Sequence, residues 1–183
     1  MKIIYTKDKE FKTEFENILK RAKSDIKGVS KIVENIIDEI VEDGNEALKR
    51  HIEKFDKWIV KSDDELLISQ DSMKKAYETL DESLKKSLHI AYERIKAYHE
   101  KQLPKSWIDF EENGSILGQK VTAVDRAGLY IPGGKAAYPS SLLMNAIPAK
   151  VAGVKEIVVC TPTPNNEVNE LLLAACHLCG ISK

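Results

Sequence analysis

The chain has 183 residues and a formal net charge of −1, because 28 lysines and arginines face 29 aspartates and glutamates. This balance argues against a general nucleic-acid binder, which carries a basic face. No apolar run approaches the roughly 20 residues that cross a bilayer, and no signal-peptide pattern follows Met1, so a cytoplasmic protein without a membrane partner is expected. The three cysteines, an odd number, fit a reducing compartment better than a disulfide framework.

Residues 1–104 are predicted to form a helical N-terminal region. Apolar residues recur at helical spacing from Val29 to Val41, and Gly44 indicates where that helix ends. Asn45 is expected to cap a shorter helix that runs to about Phe55.

Two further helices follow a candidate short strand at residues 66–68. Ser69 is expected to cap the first of them, whose apolar face would consist of Met73, Ala76, Tyr77 and Leu80. The second is predicted over about Asp81 to Gln102, with a narrow core-facing seam of Leu84, Leu88, Ala91, Ile95 and Tyr98. The pairs Asp81/Lys85 and Glu82/Lys86 are expected to support it.

Residues 105–125 are predicted to be a β-hairpin connector. Trp107–Phe110 alternates apolar and polar residues, Asn113-Gly114 supplies turn chemistry, and a second strand is expected from Ile116 to Val124.

Residues 126–183 are predicted to be the first part of an incomplete Rossmann-like α/β domain. Strands are expected at Gly128 to Ile131 and at Glu156 to Cys160, with helices from Pro139 to Ala152 and from Asn165 or Asn166 to about Leu178. Pro148 should kink or split the first of these helices, and Gly180 should end the second. Ile181 is expected to approach a third strand.

The predicted fold class is therefore α/β: an N-terminal helical layer, a β-hairpin, and an incomplete Rossmann-like parallel sheet with flanking helices. A parallel sheet needs more than two strands with both faces covered, so the pattern suggests an N-terminal piece of a longer protein.

Candidate ligand contacts lie where the first predicted strand of this sheet meets the following helix. The Gly133-Gly134 turn could offer backbone N–H groups to a phosphate, but the spacing lacks the third glycine of the dinucleotide fingerprint. A ligand contact and a tight turn that needs a positive φ both remain open for this pair. Tyr130 could stack on a flat ring or lie in the core, while capping is favoured for Ser140 and Ser141.

The cysteines and histidines do not indicate a metal or catalytic centre. Cys176 and Cys179 form a single C-x-x-C pair without further ligands at zinc spacing, so small buried residues are the favoured interpretation, as for Cys160. The sequence presents no nucleophile–base pair, and no catalytic residue or metal ligand is nominated in this chain.

The stretch from Gly128 to Pro164 resembles the histidinol dehydrogenase family. The matching words are Gly-Leu-Tyr-Ile-Pro-Gly-Gly at 128–134, Ala-Ala-Tyr-Pro-Ser-Ser at 136–141 and the run from Met144 to Val154. Upstream words, Asp43 to Leu48 and Lys54-Phe55-Asp56, also look like the family, so the resemblance covers essentially the whole chain.

The resemblance implies an NAD- and zinc-dependent oxidation of L-histidinol through L-histidinal to L-histidine, the last step of histidine biosynthesis, by an intertwined homodimer. It implies that Tyr130 contacts NAD and that Pro132 and Gly133 line the same pocket. The family's acid/base Glu-His pair and zinc ligands lie in a later part of its sequence, so this chain alone is expected to be inactive. Two alternatives remain, a non-enzymatic fragment that binds a nucleotide and a fragment that associates with itself.

Overall fold

The computed structural model of the chain describes residues 3–133 and 138–183, and for residues 21–27 it describes the backbone alone. The chain divides into two compact units, one that ends at Lys54 and one that comprises Phe55–Lys183. The domain boundaries predicted between residues 104 and 105 and between residues 125 and 126 stay predictions. The division between the two compact units lies at neither of these positions.

The first unit is helical, as predicted. Helix α1 spans Phe11–Asp43 and ends at Gly44, whose φ of 59° lets its N–H bond to the carbonyl of Ile40. Helix α2 spans Asn45–Asp56, so Asn45 is its first residue. The apolar stripe on α1 is exposed along most of its length, at Val29, Ile32, Val33, Ile37, Ile40 and Val41.

The next two helices begin where the sequence predicts. Helix α3 spans Gln70–Thr79, and the hydroxyl of Ser69 accepts a hydrogen bond from the N–H of Ser72 at 3.1 Å. Helix α4 spans Glu82–Glu100, and Asp81 caps it by accepting from the N–H groups of Ser83 and Leu84. The hydrogen bond from the Ser83 hydroxyl is the main reason that the pKa of Asp81 lies below its ordinary value.

Two local expectations in this region are wrong. Residues 66–68 form no strand, because Asp63–Leu66 makes a 3-10 turn that leads directly toward α3. The side chain of Lys85 pairs with Glu82 one turn before it, at 2.7 Å, and its charge also attracts Asp81 as predicted, but the structure gives no ion pair between Glu82 and Lys86 among the residues it describes. The predicted seam of α4 is buried at Leu88 and partly buried at Ala91 and Ile95, whereas Leu84 and Tyr98 are exposed.

The β-hairpin is confirmed, with strands β1 at Trp107–Phe110 and β2 at Ile116–Gln119. The strands are antiparallel, and Trp107 lies opposite Gln119. Gly114 has a φ of 84° in the turn and its N–H bonds to the carbonyl of Glu111. The second strand ends earlier than the predicted Val124.

The α/β part follows the predicted order of strand, helix, strand, helix. Strand β3 at Arg126–Tyr130 pairs in parallel with β4 at Glu156–Cys160, and helix α5 at Pro139–Val151 connects them. Helix α6 spans Glu170–Cys179 and ends at Gly180, which has a φ of 60°. Helix α5 is continuous through Pro148, so the predicted split does not occur.

The last residues of the chain lie beside β4, as expected for the approach to a further strand. The N–H of Ser182 bonds to the carbonyl of Ile157 at 3.0 Å, and the N–H of Val159 bonds to the carbonyl of Lys183 at 2.8 Å. At the same end of the sheet the carboxylate of Glu156 accepts from Arg126 at 2.7 Å, which lowers the pKa of Glu156.

The core of the second unit lies between this sheet and the helices around it. Helix α3 packs on α6, α4 packs on α5, and α5 packs on α6 and β3. The most deeply buried large side chains are Ile131, Leu142, Ile147 and Cys179. The described part of the chain therefore has the predicted α/β fold class. Every helix in that part is too short or too polar to span a bilayer.

Candidate functional site

The carboxyl ends of β3 and β4 bring two loops together. Pro132 and Gly133 follow β3, while Thr161 and Pro162 follow β4. A Cβ atom added to Gly133 would lie 3.0 Å from the carbonyl oxygen of Pro162 and 3.0 Å from Oγ1 of Thr161. The loops approach so closely that only glycine fits between them without displacement.

Glycine is therefore needed at position 133 because the loop after β4 approaches it closely, and not because its backbone takes a positive φ. Gly133 is absent from the positive-φ glycines of the described chain, which include Gly114 and Gly180. The interpretation of Gly133 as a turn residue with positive φ is thus wrong. Gly134, the other half of the predicted turn, lies outside the described residues, as do residues 135–137.

A cavity of about 710 Å³ opens beside these loops. This volume lies within the range of small-molecule sites, and the carboxyl ends of parallel strands are where open α/β sheets bind ligands. The part of its lining that the structure describes consists of Leu80, Pro132, Gly133, Thr161, Pro162, Pro164, Asn165, Glu167, Val168, Asn169, Glu170, Leu171 and Leu172. Two of the three residues predicted for NAD, Pro132 and Gly133, are among them.

The third predicted residue, Tyr130, stands at the end of β3 opposite Cys160 and is 67% exposed. The alternative of a core tyrosine is therefore wrong. Tyr130 does not line the cavity itself. It lies two residues before Pro132, which does. Its exposed ring is available for stacking on a flat ligand ring.

The loop that follows β4 supplies polar groups that the sequence interpretation missed. Asn165 and Glu167 line the cavity, and Asn169 caps α6 by accepting from the N–H groups of Leu171 and Leu172 at 3.0 and 3.2 Å. The predicted cap at Asn165 or Asn166 is wrong, since these residues lie in a preceding 3-10 turn. The sequence signal that could have indicated Asn165 and Glu167 as site residues is their position after a parallel strand.

One hydroxyl group at the site has no hydrogen-bond partner in the described part of the chain. Oγ1 of Thr161 is buried and unpaired among the residues that the structure describes. Burying an unpaired hydroxyl is unfavourable, and such groups in native structures call for a specific explanation. The position of Thr161 against Gly133, in the cavity wall, connects this group with the candidate site.

Ser140 and Ser141 do not cap α5. The helix begins at Pro139, its N-cap residue is Tyr138, and no side chain of the described residues makes a capping hydrogen bond to it. Both serines lie inside the first turn, and the carbonyl of Ser141 accepts from the side-chain amide of Asn145 at 2.7 Å. The favoured capping role is wrong for these serines.

The cysteines do not form a reactive site in the described chain. Cys176 and Cys179 are buried, as predicted, and burial raises the pKa of Cys176 to about 12 and that of Cys179 to about 11. Cys160 is exposed, so its predicted core position is wrong. Within residues 3–133 and 138–183, no group of three or more His, Cys, Asp and Glu side chains could hold a metal ion.

Because Cys160 is exposed while Cys176 and Cys179 are buried, iodoacetamide is expected to alkylate the native chain at Cys160 and to spare the other two thiols. The thiolate is the nucleophile, and at about pH 8 the two buried groups remain thiols. Peptide mass spectrometry before and after unfolding in guanidinium measures this, because all three cysteines should react once unfolded. Equal labelling of Cys160 and Cys176 in the native chain would contradict the buried arrangement.

Comparison with known proteins agrees with this geometry. A sequence model described as histidinol dehydrogenase matches residues 19–183. The chain is 67% identical over 178 residues to the histidinol dehydrogenase of Sulfurimonas denitrificans, covering 97% of this chain and 41% of the relative. It is 60% identical over 183 residues to that of Helicobacter hepaticus, covering all of this chain and 42% of the relative.

The fold of a solved structure from the same family is similar to that of this chain. The crystal structure of histidinol dehydrogenase from Elizabethkingia anophelis aligns with a TM-score of 0.76 at 28% identity, over 84% of this chain and 35% of that chain. The chain spans about two fifths of the length of the curated relatives that it matches.

The fold and the cavity define an α/β protein with a candidate ligand site at the carboxyl ends of parallel strands. The chain belongs to the histidinol dehydrogenase family, a family of oxidoreductases of histidine biosynthesis. The predicted family is thereby confirmed.

Proposed function

We propose that the cavity at the ends of β3 and β4 is part of an NAD site and that Tyr130, Pro132 and Gly133 contribute to it. The observation that carries the proposal is the position of Pro132 and Gly133 in the wall of a ligand-sized cavity. NAD would supply a hydride acceptor for the oxidation of an alcohol and then of an aldehyde.

The described residues fit a dinucleotide in three respects. The exposed ring of Tyr130 offers a stacking surface, the unpaired hydroxyl of Thr161 lies in the cavity wall, and Asn165 adds an amide at its rim. The close approach of Gly133 to Pro162 holds the two loops in one fixed arrangement. These groups bind and orient a ligand, and none of them is a base placed to remove a proton.

Zinc does not fit the described part of this chain. No set of three suitable side chains converges there, and Cys176 and Cys179 are buried thiols whose raised pKa values oppose metal binding. We therefore propose no zinc ligand among the residues that the structure describes.

The whole protein is proposed to oxidise L-histidinol to L-histidine with NAD and zinc, as a cytoplasmic homodimer. This chain would supply part of the cofactor site and the helical and hairpin layers. Supplied alone with L-histidinol, NAD and zinc, it is expected to produce no NADH, because the general base that the oxidation needs is not among its assigned residues. NADH formation, followed by its absorbance, would contradict this assignment.

The cofactor proposal predicts that Tyr130→Ala weakens NAD binding about tenfold, since stacking of a base on an aromatic ring contributes roughly 1–3 kcal/mol. Ligand-observed NMR titration of the 183-residue chain with NAD measures the dissociation constant even when binding is weak. Tyr130→Phe should keep most of the affinity, because it retains the ring.

Phe110→Ala is the matched control for this experiment. Phe110 is 69% exposed, against 67% for Tyr130, but it lies on β1 of the hairpin. Its removal should leave NAD binding unchanged. Equal loss of affinity in the two variants, or no binding by the unaltered chain, would refute the proposed cofactor role. Saturable NAD binding without turnover would also match the alternative of a non-enzymatic fragment that binds a nucleotide. The other alternative, a fragment that associates with itself, predicts that the mass measured by sedimentation rises with protein concentration.

A further inference from the structure

The β-hairpin has an apolar side that the described part of the chain leaves exposed. Directly opposite residues of paired strands share a side, so the register groups Ile108, Phe110, Ile116 and Gly118. These four residues are called the hairpin face. Its three large residues are 59–69% exposed, and within the described residues β1 and β2 contact mainly each other. Because a two-stranded hairpin alone is only marginally stable in water, these observations favour a partner that covers the hairpin face.

The other side of the hairpin is mixed in character. The same register places Trp107, Asp109, Leu117 and Gln119 there, so a carboxylate and an amide lie among its apolar residues. A partner packed on that side would remove the carboxylate of Asp109 from water, which is unfavourable. The hairpin face is therefore the side that suits a dry contact.

The two ends of the hairpin carry opposite charges. Glu111 and Glu112 begin the turn at its tip, whereas Lys105 and Lys120 flank its base, and all four are exposed. None of these side chains forms an ion pair within residues 3–133 and 138–183. At about 3.4 Å per residue the tip lies roughly 17 Å from the base, beyond the screening length of about 8 Å at physiological salt. The two charged ends are thus left for a partner.

This distribution of charge fits a second copy of the same hairpin, turned end for end. In that orientation the acidic tip of each copy lies over the basic base of the other. A copy lying in the same direction would instead bring like charges together. A two-fold axis between the copies, at right angles to the strands, gives the favourable orientation and lays the two hairpin faces against each other, so every contact occurs twice.

The shape of the hairpin face agrees with this orientation. Phe110 and Ile116 lie toward the tip, and the pair formed by Ile108 and Gly118 lies toward the base. Gly118 has no side chain, and a groove of about 470 Å³ beside it is lined in part by Ile108 and Ile116. End-for-end packing brings the ring of Phe110 of the second copy over this gap.

We propose that two copies of this chain associate through their hairpin faces, in antiparallel orientation about a two-fold axis. The inference assigns a surface to the proposed homodimer, so it rests on that part of the proposed function and not on the NAD site. Three large apolar side chains from each copy fall short of the roughly 20–30 residues per side of a standard interface, so the hairpins alone should associate weakly.

Sedimentation equilibrium of the 183-residue chain at a series of protein concentrations tests this contact. The unaltered chain should pass from monomer to dimer as the concentration rises. Phe110→Ala should weaken the association at least about tenfold, because the dimer loses an aromatic anchor from both copies. Trp107→Ala is the matched control, since it removes an exposed aromatic ring from the other side of the same strand and should leave the association unchanged.

A charge exchange tests the orientation. Lys120→Glu and Glu112→Lys should each weaken the association several-fold, because each places like charges at the contacts between tip and base. The chain that carries both substitutions restores opposite charges there and should recover most of the lost affinity. A higher salt concentration should reduce the differences among these variants.

The outcomes separate this inference from the rest of the proposed function. A mass that stays monomeric at every concentration would overturn the hairpin contact. Association that Phe110→Ala leaves unchanged, or that Trp107→Ala weakens equally, would move self-association to another surface, and no recovery in the doubly substituted chain would overturn the antiparallel orientation. In all these cases the NAD site stands, because NAD titration of Phe110→Ala measures it separately. A circular dichroism spectrum equal to that of the unaltered chain shows that each variant is folded.

Discussion

Replacing Ile147 by alanine is expected to lower the free energy of unfolding by about 2–5 kcal/mol. Ile147 is fully buried on α5, in the cluster that joins this helix to the sheet and to α4 and α6. Truncation removes apolar contacts and leaves a cavity that the surrounding helices fill only in part. Urea denaturation followed by circular dichroism measures the change, with an unaltered m-value as the sign of two-state unfolding.

Met144→Ala is the matched control, because Met144 lies on the same helix and is 65% exposed. Its effect should stay within about 0.5 kcal/mol, as for most surface substitutions. Ile147→Val should fall between the two, at about 0.5–1.5 kcal/mol. Equal effects of the Ile147 and Met144 truncations would show that α5 does not bury the face described here.

The elements that the sequence predicts well are those fixed by local chemistry. Ser69 and Asp81 cap the helices that follow them, and Gly180 ends the last one in the left-handed conformation. Each of these depends on a side chain or a missing Cβ that acts within a few residues. The β4 strand is likewise recognisable because a short run of β-branched residues is bounded by turn signals.

The cap of α6 shows where local chemistry is not sufficient. Asn165, Asn166 and Asn169 are equally good N-cap residues by type. The structure uses Asn169, while Asn165 and Asn166 take φ values of 57° and 60° in the preceding turn. The helix that Asn169 caps carries Leu172 and Cys176 into the core, and the residue type of an N-cap candidate does not register such tertiary packing.

The residues of the candidate site also divide into those that the sequence indicates and those that only the tertiary structure reveals. Gly133 could be singled out from the sequence because a glycine pair after a strand is conspicuous, whereas Pro132 was expected only from the family resemblance. Glu167 could not, since it reaches the cavity only through the path of the loop after β4. The reason for glycine at position 133 was also not predictable, because the atoms that exclude a side chain belong to Thr161 and Pro162 on another strand.

The second large effect is expected from Gly133→Ala. The new Cβ would lie 3.0 Å from the backbone carbonyl oxygen of Pro162 and 3.0 Å from Oγ1 of Thr161, so these neighbours must shift by a few tenths of an ångström. Such overpacking typically costs about 1–3 kcal/mol of stability. Because both loops form the cavity wall, their displacement should also weaken NAD binding about tenfold or more, where tenfold corresponds to about 1.4 kcal/mol.

Gly128→Ala separates this steric effect from the general cost of replacing a glycine. Gly128 lies on β3, and a Cβ added there meets no atom within 4 Å. That variant should keep both its stability and its affinity for NAD, measured by urea denaturation and by NMR titration. If Gly133→Ala behaves like Gly128→Ala in both measurements, the close approach of the two loops does not hold the site together. If it loses stability alone, the contact fixes the fold, and the cavity is not where NAD binds.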